Sequence, residues 1–258
     1  MIKLKEAFKN KKAFIAFLTA GDPDLETTEK LIYEMVDKGV DLIEIGIPFS
    51  DPIAEGTVIQ EADLRALSGG VTTEMIFDMV EKIRPNIGIP LVFMTYCNVL
   101  FGYGTEKFTK RCSEIGIDGL IVPDVPYEEK EELLPYCRKY GLELVSLVAP
   151  TSQDRIAKIA SEAEGFLYVV SSLGVTGVRS EITTDIGEIV RAAKAVSDIP
   201  CAVGFGISTP EQAKKMSAEA DGIIIGSAIV KIIAKYGRDS VEPVGEYIKS
   251  ISDSLIKY

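Results

Sequence analysis

The feature that most constrains the fold of this chain is a regular alternation of short apolar, β-branched runs with amphipathic segments. The runs predict strands, and the apolar spacing within the segments between them predicts helices. In residues 25–38, for example, Leu31, Ile32, Met35 and Val36 form one apolar stripe among charged side chains. Eight strands are predicted, at residues 13–18, 40–45, 89–94, 119–122, 142–148, 166–170, 201–204 and 222–225.

Eight strand–helix units in 258 residues have the size and rhythm of a (β/α)8 barrel. A doubly wound open sheet is the competing architecture, but the even spacing and the lack of a second-domain signal favour closure. We therefore predict an α/β fold, a (β/α)8 TIM barrel, as a single domain over residues 1–258. It has an extra N-terminal helix, a last helix outside the barrel, and long loops after strands two and six. The helices are predicted at residues 3–8, 25–38, 73–84, 105–115, 128–140, 154–164, 185–196, 210–218, 227–236 and 241–256, with a further short helix in the loop after strand two.

The chain contains no histidine. Acid–base chemistry near neutral pH must therefore come from carboxylates, tyrosine, lysine, cysteine or a chain terminus. Metal sites with histidine ligands are excluded as well, which removes most zinc hydrolases and metal-dependent aldolases. With 28 basic against 39 acidic residues, the net charge of −11 argues against a broad binding surface for nucleic-acid phosphates.

The cysteines and the N-terminal residues lead us to expect a cytoplasmic protein. Four cysteines are scattered along the chain without a C-x-x-C pair, as expected for reduced thiols rather than a disulfide framework or a metal site. Residues 1–12 are polar and charged, unlike a signal peptide, and no apolar run approaches about 18 residues.

A carboxylate interrupts the second predicted strand. Side chains alternate along a strand, so Glu44 shares a face with Leu42 and Gly46, while Ile43 and Ile45 face the other way. Both faces are otherwise apolar, as in a parallel strand buried on both sides. A carboxylate there costs roughly several kcal/mol unless it is paired, protonated or solvated by a pocket. A structural salt bridge or a strand-end hydrogen bond explains Glu44 as well as a catalytic role does.

Glycines and a helix start converge where the last strands end, and the strand ends carry the chemistry in such barrels. Gly206 and Gly226 follow strands seven and eight, and Ser227 opens a helix whose N–H groups suit an anion. Together they indicate a phosphate site, although ordinary strand-to-helix turns also carry glycines. Residues 174–177, with the sequence GVTG, open a polar loop after strand six. That loop suits a lid over a phosphate ester, and a plain exposed loop has the same composition.

Five segments together give the chain a resemblance to the alpha subunit of tryptophan synthase over essentially its full length. The segments are 17–23 (FLTAGDP), 44–52 (EIGIPFSDP), 174–177 (GVTG), 204–207 (GFGI) and 226–230 (GSAIV). The resemblance implies a lyase of tryptophan biosynthesis that cleaves indole-3-glycerol phosphate to indole and glyceraldehyde 3-phosphate. It also implies a beta-subunit partner that consumes the indole with pyridoxal phosphate, an α2β2 heterotetramer, and no cofactor or metal in this chain.

The resemblance also implies roles for individual residues, carried over by position. The catalytic residues are Glu44, Glu55 and Tyr168. The phosphate-binding residues are Thr176, Gly177, Gly206, Gly226 and Ser227. The residues around the indole ring are Phe17, Ile59, Met94, Tyr96, Ile121 and Phe205. The residues facing the partner are Pro48, Asp51 and Pro52. The family usually has aspartate where this chain has Glu55, so the carboxylate is kept with a reach one methylene longer.

The implied reaction is a retro-aldol cleavage, which needs one proton added to indole C3 and one removed from the substrate's 3′-hydroxyl. With the roles that the resemblance implies, Glu44 in its apolar surround has a raised pKa and shuttles these protons, while Glu55 accepts the indole N–H. A Schiff-base aldolase would need a lysine at a strand end, and none of the predicted strand ends is lysine.

Three other functions remain compatible with the sequence. One is a free-standing indole-glycerol phosphate lyase that works without a partner. Another is a different phosphate-binding barrel, such as a sugar-phosphate isomerase or a prenyl transferase, although the apolar side chains of Phe17, Ile59, Met94 and Ile121 favour a flat aromatic substrate. The third is an activating subunit that binds ligand and partner but turns over weakly because of Glu55.

Overall fold

A ring of parallel strands forms the centre of the molecule. The structure, a computed structural model, describes residues 1–170, 186–204 and 206–255. The strands in that part of the chain are β1 (Ala13–Thr19), β2 (Leu42–Gly46), β3 (Leu91–Met94), β4 (Gly119–Ile121), β5 (Glu143–Leu144), β6 (Ser146–Val148), β7 (Leu167–Val170), β8 (Cys201–Gly204) and β9 (Gly222–Ile225). All pairs are parallel, in the order β5-β4-β3-β2-β1-β9-β8-β7-β6.

The two ends of that order, β5 and β6, are successive pieces of one predicted strand, 142–148. They are separated by Val145, whose N–H donates to the Leu120 carbonyl at 2.9 Å. The first piece pairs with β4 and the second pairs with β7, so the chain itself joins the two edges of the sheet. The ring is therefore a nearly closed parallel barrel, which confirms the (β/α)8 prediction and rules out the open sheet.

Helices surround the ring. They are α1 (Leu25–Asp37), α2 (Thr57–Ser68), α3 (Thr73–Ile83), α4 (Cys97–Tyr103), α5 (Thr105–Glu114), α6 (Leu134–Tyr140), α7 (Gln153–Glu162), α8 (Ile186–Lys194), α9 (Pro210–Glu219), α10 (Ser227–Tyr236) and α11 (Val241–Ser254). Short 3-10 helices span Leu4–Phe8, Arg84–Asn86, Tyr127–Glu132 and Gly237–Asp239. Asp24, Thr72, Ser152 and Thr209 cap helices through side-chain oxygens, as their positions in the sequence indicate. Among the described helices, none has the length and apolar character needed to cross a bilayer.

Three segments differ from the predicted elements. Residues 128–140 do not form one helix. A 3-10 helix ends at Glu132 and α6 begins at Leu134, and Pro135 in the first turn of α6 has no N–H to continue the ladder. The loop after β2 leads into α2, a helix of 12 residues rather than a short one. Helix α4 was not predicted. Phe101 and Gly102, two of its seven residues, are exposed, so the sequence shows no clear apolar stripe at helical spacing. The loop after strand six, 171–185, lies outside the described residues.

Alternation along the strands divides the core into two layers. On β2, Leu42 belongs to the cluster inside the barrel, whereas Ile43 and Ile45 belong to the cluster between the strands and the helices. Glu44 lies on the Leu42 face of the strand, as period-two alternation predicts. Its side chain therefore points into the barrel.

Leu4, in the N-terminal 3-10 helix, closes one end of the barrel. It is fully buried in the inner cluster, and its Cδ1 lies where a Cβ on Gly119 or on Gly165 would approach to 2.8 or 2.9 Å. Both glycines lie at the amino ends of strands, so the helix plugs the end opposite the strand carboxyl termini. The predicted extra helix thus closes the amino end of the barrel, and the carboxyl end is where we expect a ligand.

We expect Leu4→Ala to lower the free energy of unfolding by about 2–5 kcal/mol, because it opens a cavity in a fully buried position. Leu64→Ala is the matched control, since Leu64 is 58% exposed, and should change stability by less than about 0.5 kcal/mol. Urea denaturation followed by circular dichroism measures both. Equal stability of the two variants would contradict the plug.

Candidate active site at the carboxyl ends of the strands

Glu44 is the most unusual group in the barrel. It lies in the middle of β2, between Phe17 on β1 and Val92 on β3 in the strand register. The side chain is fully buried, and neither carboxylate oxygen has a hydrogen-bond partner within the described part of the chain. Burial, and secondly the negative charge of Glu55, raise the pKa of Glu44 to about 8. A carboxyl group with such a pKa can both give and take a proton near neutral pH.

Glu55 lies in residues 47–56, which we call the Glu55 loop, between β2 and α2. It is only 3% exposed. Its N–H donates to the Pro52 carbonyl at 3.1 Å, and its own carbonyl accepts from the Gln60 side-chain amide at 2.8 Å. After burial, the charge of Glu55 is the next cause that raises the pKa of Glu44 and the pKa of Tyr96. Its carboxylate therefore faces the barrel opening where those groups lie.

Tyr168 on β7 brings a phenol to the same place. It is 6% exposed, and burial followed by the charges of Glu44 and Glu55 raises the pKa of its hydroxyl. Its ring occupies space that Gly204 on the neighbouring strand leaves open, since a Cβ there would come within 2.6 Å of the Tyr168 hydroxyl oxygen. The three residues predicted as catalytic thus lie within electrostatic reach of one another.

Apolar side chains enclose the space beside these groups. Four of the residues predicted around the indole ring, Phe17, Ile59, Met94 and Ile121, are buried in the inner cluster. The Phe17 ring fits against Gly46, where a Cβ would approach to 2.7 Å from its Cζ. Such a wall suits a flat aromatic ligand better than a sugar.

Tyr96 contacts the Glu55 loop, which its predicted role did not include. Its hydroxyl accepts the Ala54 N–H at 3.1 Å, and its ring stacks on Phe49 with centroids 5.3 Å apart. It is 4% exposed, so it also lines the barrel end. Phe205, the sixth residue of the predicted indole set, lies outside the described residues.

The candidate phosphate residues are found where two adjacent strands end. Gly206 follows β8 with a φ of 83°, a left-handed conformation that favours glycine. Gly226 precedes α10, and Ser227 is its first residue, so free helix N–H groups face the strand ends there. Because β8 pairs with β9, these residues lie at one corner of the barrel. Thr176 and Gly177 lie outside the described residues. Within the described ranges, no group of three or more histidine, cysteine, aspartate or glutamate side chains is arranged to hold a metal ion.

The residues predicted to face a partner differ in their exposure to solvent. Asp51 is exposed and accepts a hydrogen bond from the Ser50 hydroxyl at 2.6 Å. Pro48 and Pro52 are buried against the chain itself. Ile53, which was not predicted, is 74% exposed beside them. The prolines therefore shape the loop, while Asp51 and Ile53 form its outer surface.

Comparison with known proteins agrees with this geometry. Residues 3–253 match the family model of the tryptophan synthase alpha chain. The tryptophan synthase alpha chain of Lacticaseibacillus casei is 48% identical over 251 residues, which cover 97% of this chain and 94% of that one. The alpha chain of Thermoanaerobacter pseudethanolicus is 50% identical over 249 residues, with 96% and 95% covered. The chain belongs to the tryptophan synthase alpha family.

Solved structures of tryptophan synthase share the fold. A tryptophan synthase structure from Mycobacterium tuberculosis superposes with a TM-score of 0.88 at 33% identity, covering 98% of this chain and 97% of that chain. A chain of the tryptophan synthase complex from Pyrococcus furiosus gives 0.86 at 35% identity, covering 94% and 98%. The barrel and its strand order are therefore those of the tryptophan synthase alpha family.

Sequence reasoning missed a polar group behind the Glu55 loop of this alpha-family barrel. Asp63 is 5% exposed, and it lies among the buried residues Ile59, Ala62 and Ala66 of α2. Burial raises its pKa to about 7, against the lowering effect of hydrogen bonds from the Phe49 N–H and the Thr19 hydroxyl, with the charge of Asp22 a smaller raising cause. A carboxylate within an apolar helical stripe is the sequence signal that could have revealed it.

The pKa of Glu44 predicts a pH-dependent cost in stability. Its pKa is raised from 4.5 to about 8, so between these values the folded chain holds a proton that the unfolded chain has released. The contribution of Glu44 to the stability of the parent should therefore fall as pH rises through this window, by about 1.4 kcal/mol per pH unit. Glu44→Gln has no such proton to lose, so its stability relative to the parent should increase from pH 4.5 to pH 8.

The measurement is urea denaturation of both proteins at several pH values, with Glu219→Gln as the control because Glu219 is an exposed glutamate at the end of α9. The control should follow the parent at every pH. Parallel curves for the parent and Glu44→Gln would contradict the raised pKa.

Proposed function

We propose that this chain is a lyase of tryptophan biosynthesis that cleaves indole-3-glycerol phosphate to indole and glyceraldehyde 3-phosphate. Membership in the tryptophan synthase alpha family supports the reaction. The observation that carries the proposal is the buried carboxyl group of Glu44, which faces a second buried carboxylate, Glu55, beside an apolar wall. That combination suits acid–base cleavage of an aromatic substrate.

In the proposed mechanism Glu44 moves both protons. As a neutral acid it protonates indole C3, and as the resulting carboxylate it accepts the proton of the substrate's 3′-hydroxyl. The bond between C3 and the glycerol carbon then breaks, its electron pair returns to the indole ring, and the hydroxyl carbon becomes the aldehyde. No proton is consumed overall, so Glu44 ends in its starting form.

Glu55 stabilises the charge that this sequence creates. Protonation at C3 makes the indole nitrogen more positive, and a carboxylate that accepts its N–H hydrogen bond stabilises that state more than the ground state. Tyr168, whose hydroxyl lies near both carboxylates, orients the pair. The longer side chain of Glu55, compared with the usual aspartate, keeps the charge and changes only the reach.

The remaining predicted residues bind the two ends of the substrate in this proposal. Phe17, Ile59, Met94, Tyr96, Ile121 and Phe205 enclose the indole ring, and Thr176, Gly177, Gly206, Gly226 and Ser227 hold the phosphate. The free N–H groups at the start of α10 supply positive potential, so no basic side chain is needed at that corner.

We also propose a beta-subunit partner that consumes indole with pyridoxal phosphate, so that this chain itself needs no cofactor. The solved tryptophan synthase complex of Pyrococcus furiosus supports such a partner. Asp51 and the exposed Ile53 supply a surface for it on the Glu55 loop, with Pro48 and Pro52 holding that surface in shape. An α2β2 stoichiometry and a cytoplasmic location complete the proposal, the latter in keeping with four free cysteines.

Glu44→Gln should lower the rate of indole release from indole-3-glycerol phosphate by at least about 100-fold, because an amide cannot act as a general acid or base near neutral pH. Substrate affinity should stay close to that of the parent, since size and neutrality are kept. The assay follows indole colorimetrically, with Glu219→Gln as the control. A Glu44→Gln rate above about a hundredth of the parent rate would refute the role of Glu44.

Glu55→Asp should remain active, and Glu55→Ala should lose most of the activity, because charge at the indole nitrogen matters more than side-chain length. A change of one methylene still alters geometry on the scale of about 1 Å, to which rates are sensitive. The same indole assay, with and without a beta subunit, measures both variants. If Glu55→Ala works as fast as the parent, the two-carboxylate mechanism is wrong.

A further inference from the structure

The hydroxyl of Tyr96 joins the Glu55 loop to the segment that follows a neighbouring strand, β3. It accepts the N–H of Ala54, the residue before Glu55, at 3.1 Å. We propose that Tyr96 is a positioning residue for the reaction, whose hydroxyl fixes the backbone beside Glu55 and so sets where the Glu55 carboxylate meets the substrate. This inference rests on the proposed function of Glu55, and it adds a second task to the ring contact proposed for Tyr96.

The backbone on both sides of Tyr96 is held by residues at and just after the end of β4. The Thr95 N–H donates to the Ile121 carbonyl at 3.0 Å, and the Cys97 N–H donates to the Asp124 carboxylate at 3.0 Å. The Tyr96 side chain is itself buried. A buried aromatic side chain on an anchored backbone has little freedom to move, so its hydroxyl is a rigid point that can hold a loop.

Two further contacts beside Glu55 come from its own loop and from the helix that follows. The Glu55 N–H donates to the Pro52 carbonyl at 3.1 Å, within the loop. The Glu55 carbonyl accepts from the side-chain amide of Gln60, in the first turn of α2, at 2.8 Å. These two bonds shape the turn and join it to α2, whereas the Tyr96 bond ties the same turn to the β3 side of the barrel.

The hydroxyl and the ring of Tyr96 act on different parts of the loop. The ring stacks on Phe49 with centroids 5.3 Å apart. That first part of the loop is also held by the Ile47 N–H, which donates to the Met94 carbonyl at 2.9 Å. A phenylalanine at position 96 keeps the ring and both of these contacts. Loss of the hydroxyl alone would therefore leave the start of the loop in place and release the Ala54 N–H.

A small shift at Ala54 affects the proposed chemistry because Glu55 is the next residue. Displacement of this backbone carries the Glu55 carboxylate with it, and rates are sensitive to displacements of about 1 Å. The carboxylate stabilises the charge on the indole nitrogen more in the transition state than in the ground state, so its displacement lowers kcat more than it lowers affinity. A loss in kcat with little change in KM is therefore the expected kinetic signature.

The test uses the full chain and compares Tyr96→Phe with the parent in steady-state indole release. Tyr96→Phe should lower kcat by about 5- to 10-fold and change KM by less than about threefold. Amide hydrogen exchange measured by NMR should become about 10-fold faster at Ala54, because its acceptor is gone, and should stay unchanged in α11. Tyr103→Phe is the matched control, since it removes a hydroxyl that donates to Glu74 on the surface, and it should behave as the parent.

A double-mutant cycle shows whether Tyr96 acts through Glu55. In the Glu55→Ala background there is no carboxylate to position, so adding Tyr96→Phe should leave the residual rate unchanged within about twofold. The same fold-loss from Tyr96→Phe in both backgrounds would overturn the proposal, because Tyr96 would then act on the substrate directly.

Two other results for Tyr96→Phe would also overturn the proposal. One is a kcat equal to that of the parent, whether or not exchange at Ala54 becomes faster. The other is a higher KM with kcat unchanged, which would mean that the hydroxyl only binds the substrate. An inactive parent chain, or a Glu55→Ala chain as fast as the parent, would instead refute the proposed function on which this inference rests, so the two failures are distinguishable.

Discussion

The burial of the Glu44 carboxyl group beside a second negative charge is the constraint on which the rest of the site depends. An ionised carboxylate without a hydrogen-bond partner is unfavourable in an apolar interior, so the group keeps its proton to an unusually high pH. The negative charge of Glu55 raises the pKa of Glu44 further, because two like charges at one opening of the barrel repel each other. At pH values above the ordinary pKa of a glutamate, the arrangement lowers the stability of the fold. It also supplies a carboxylic acid at neutral pH.

Glycines at the strand ends leave room for the aromatic rings that line the ligand space of this barrel. The Phe17 ring lies over Gly46 and Gly226, and the Tyr168 ring lies over Gly204. A side chain at any of these glycines would push the rings into the opening. The aromatic wall and the reactive carboxyl groups are therefore set by the same interstrand packing. The hydrogen bonds of the Glu55 loop to Tyr96 and Gln60 complete the site at the carboxyl end of the barrel.

The sequence predicted the parts of the fold that repeat and missed those that depend on long-range contacts. The inward direction of Glu44 follows from strand alternation, and the barrel follows from the rhythm of the elements. The interruption at Val145 does not, because it arises where one strand serves two neighbours. Burial of Pro48 and Pro52 depends on segments distant in sequence, and no local pattern records such contacts. The family resemblance gave roles to residues, but not the hydrogen bonds that hold them.

The central claim is that burial and Glu55 together keep the Glu44 carboxyl group protonated near neutral pH. It is tested most directly by an NMR titration of carboxyl-13C-labelled glutamate in the full chain, with the Glu44 resonance assigned from Glu44→Gln. The account predicts a midpoint for Glu44 at about pH 8, which moves lower in Glu55→Gln because one raising cause is removed. A Glu44 midpoint near its ordinary value of 4.5 in the parent chain would contradict it.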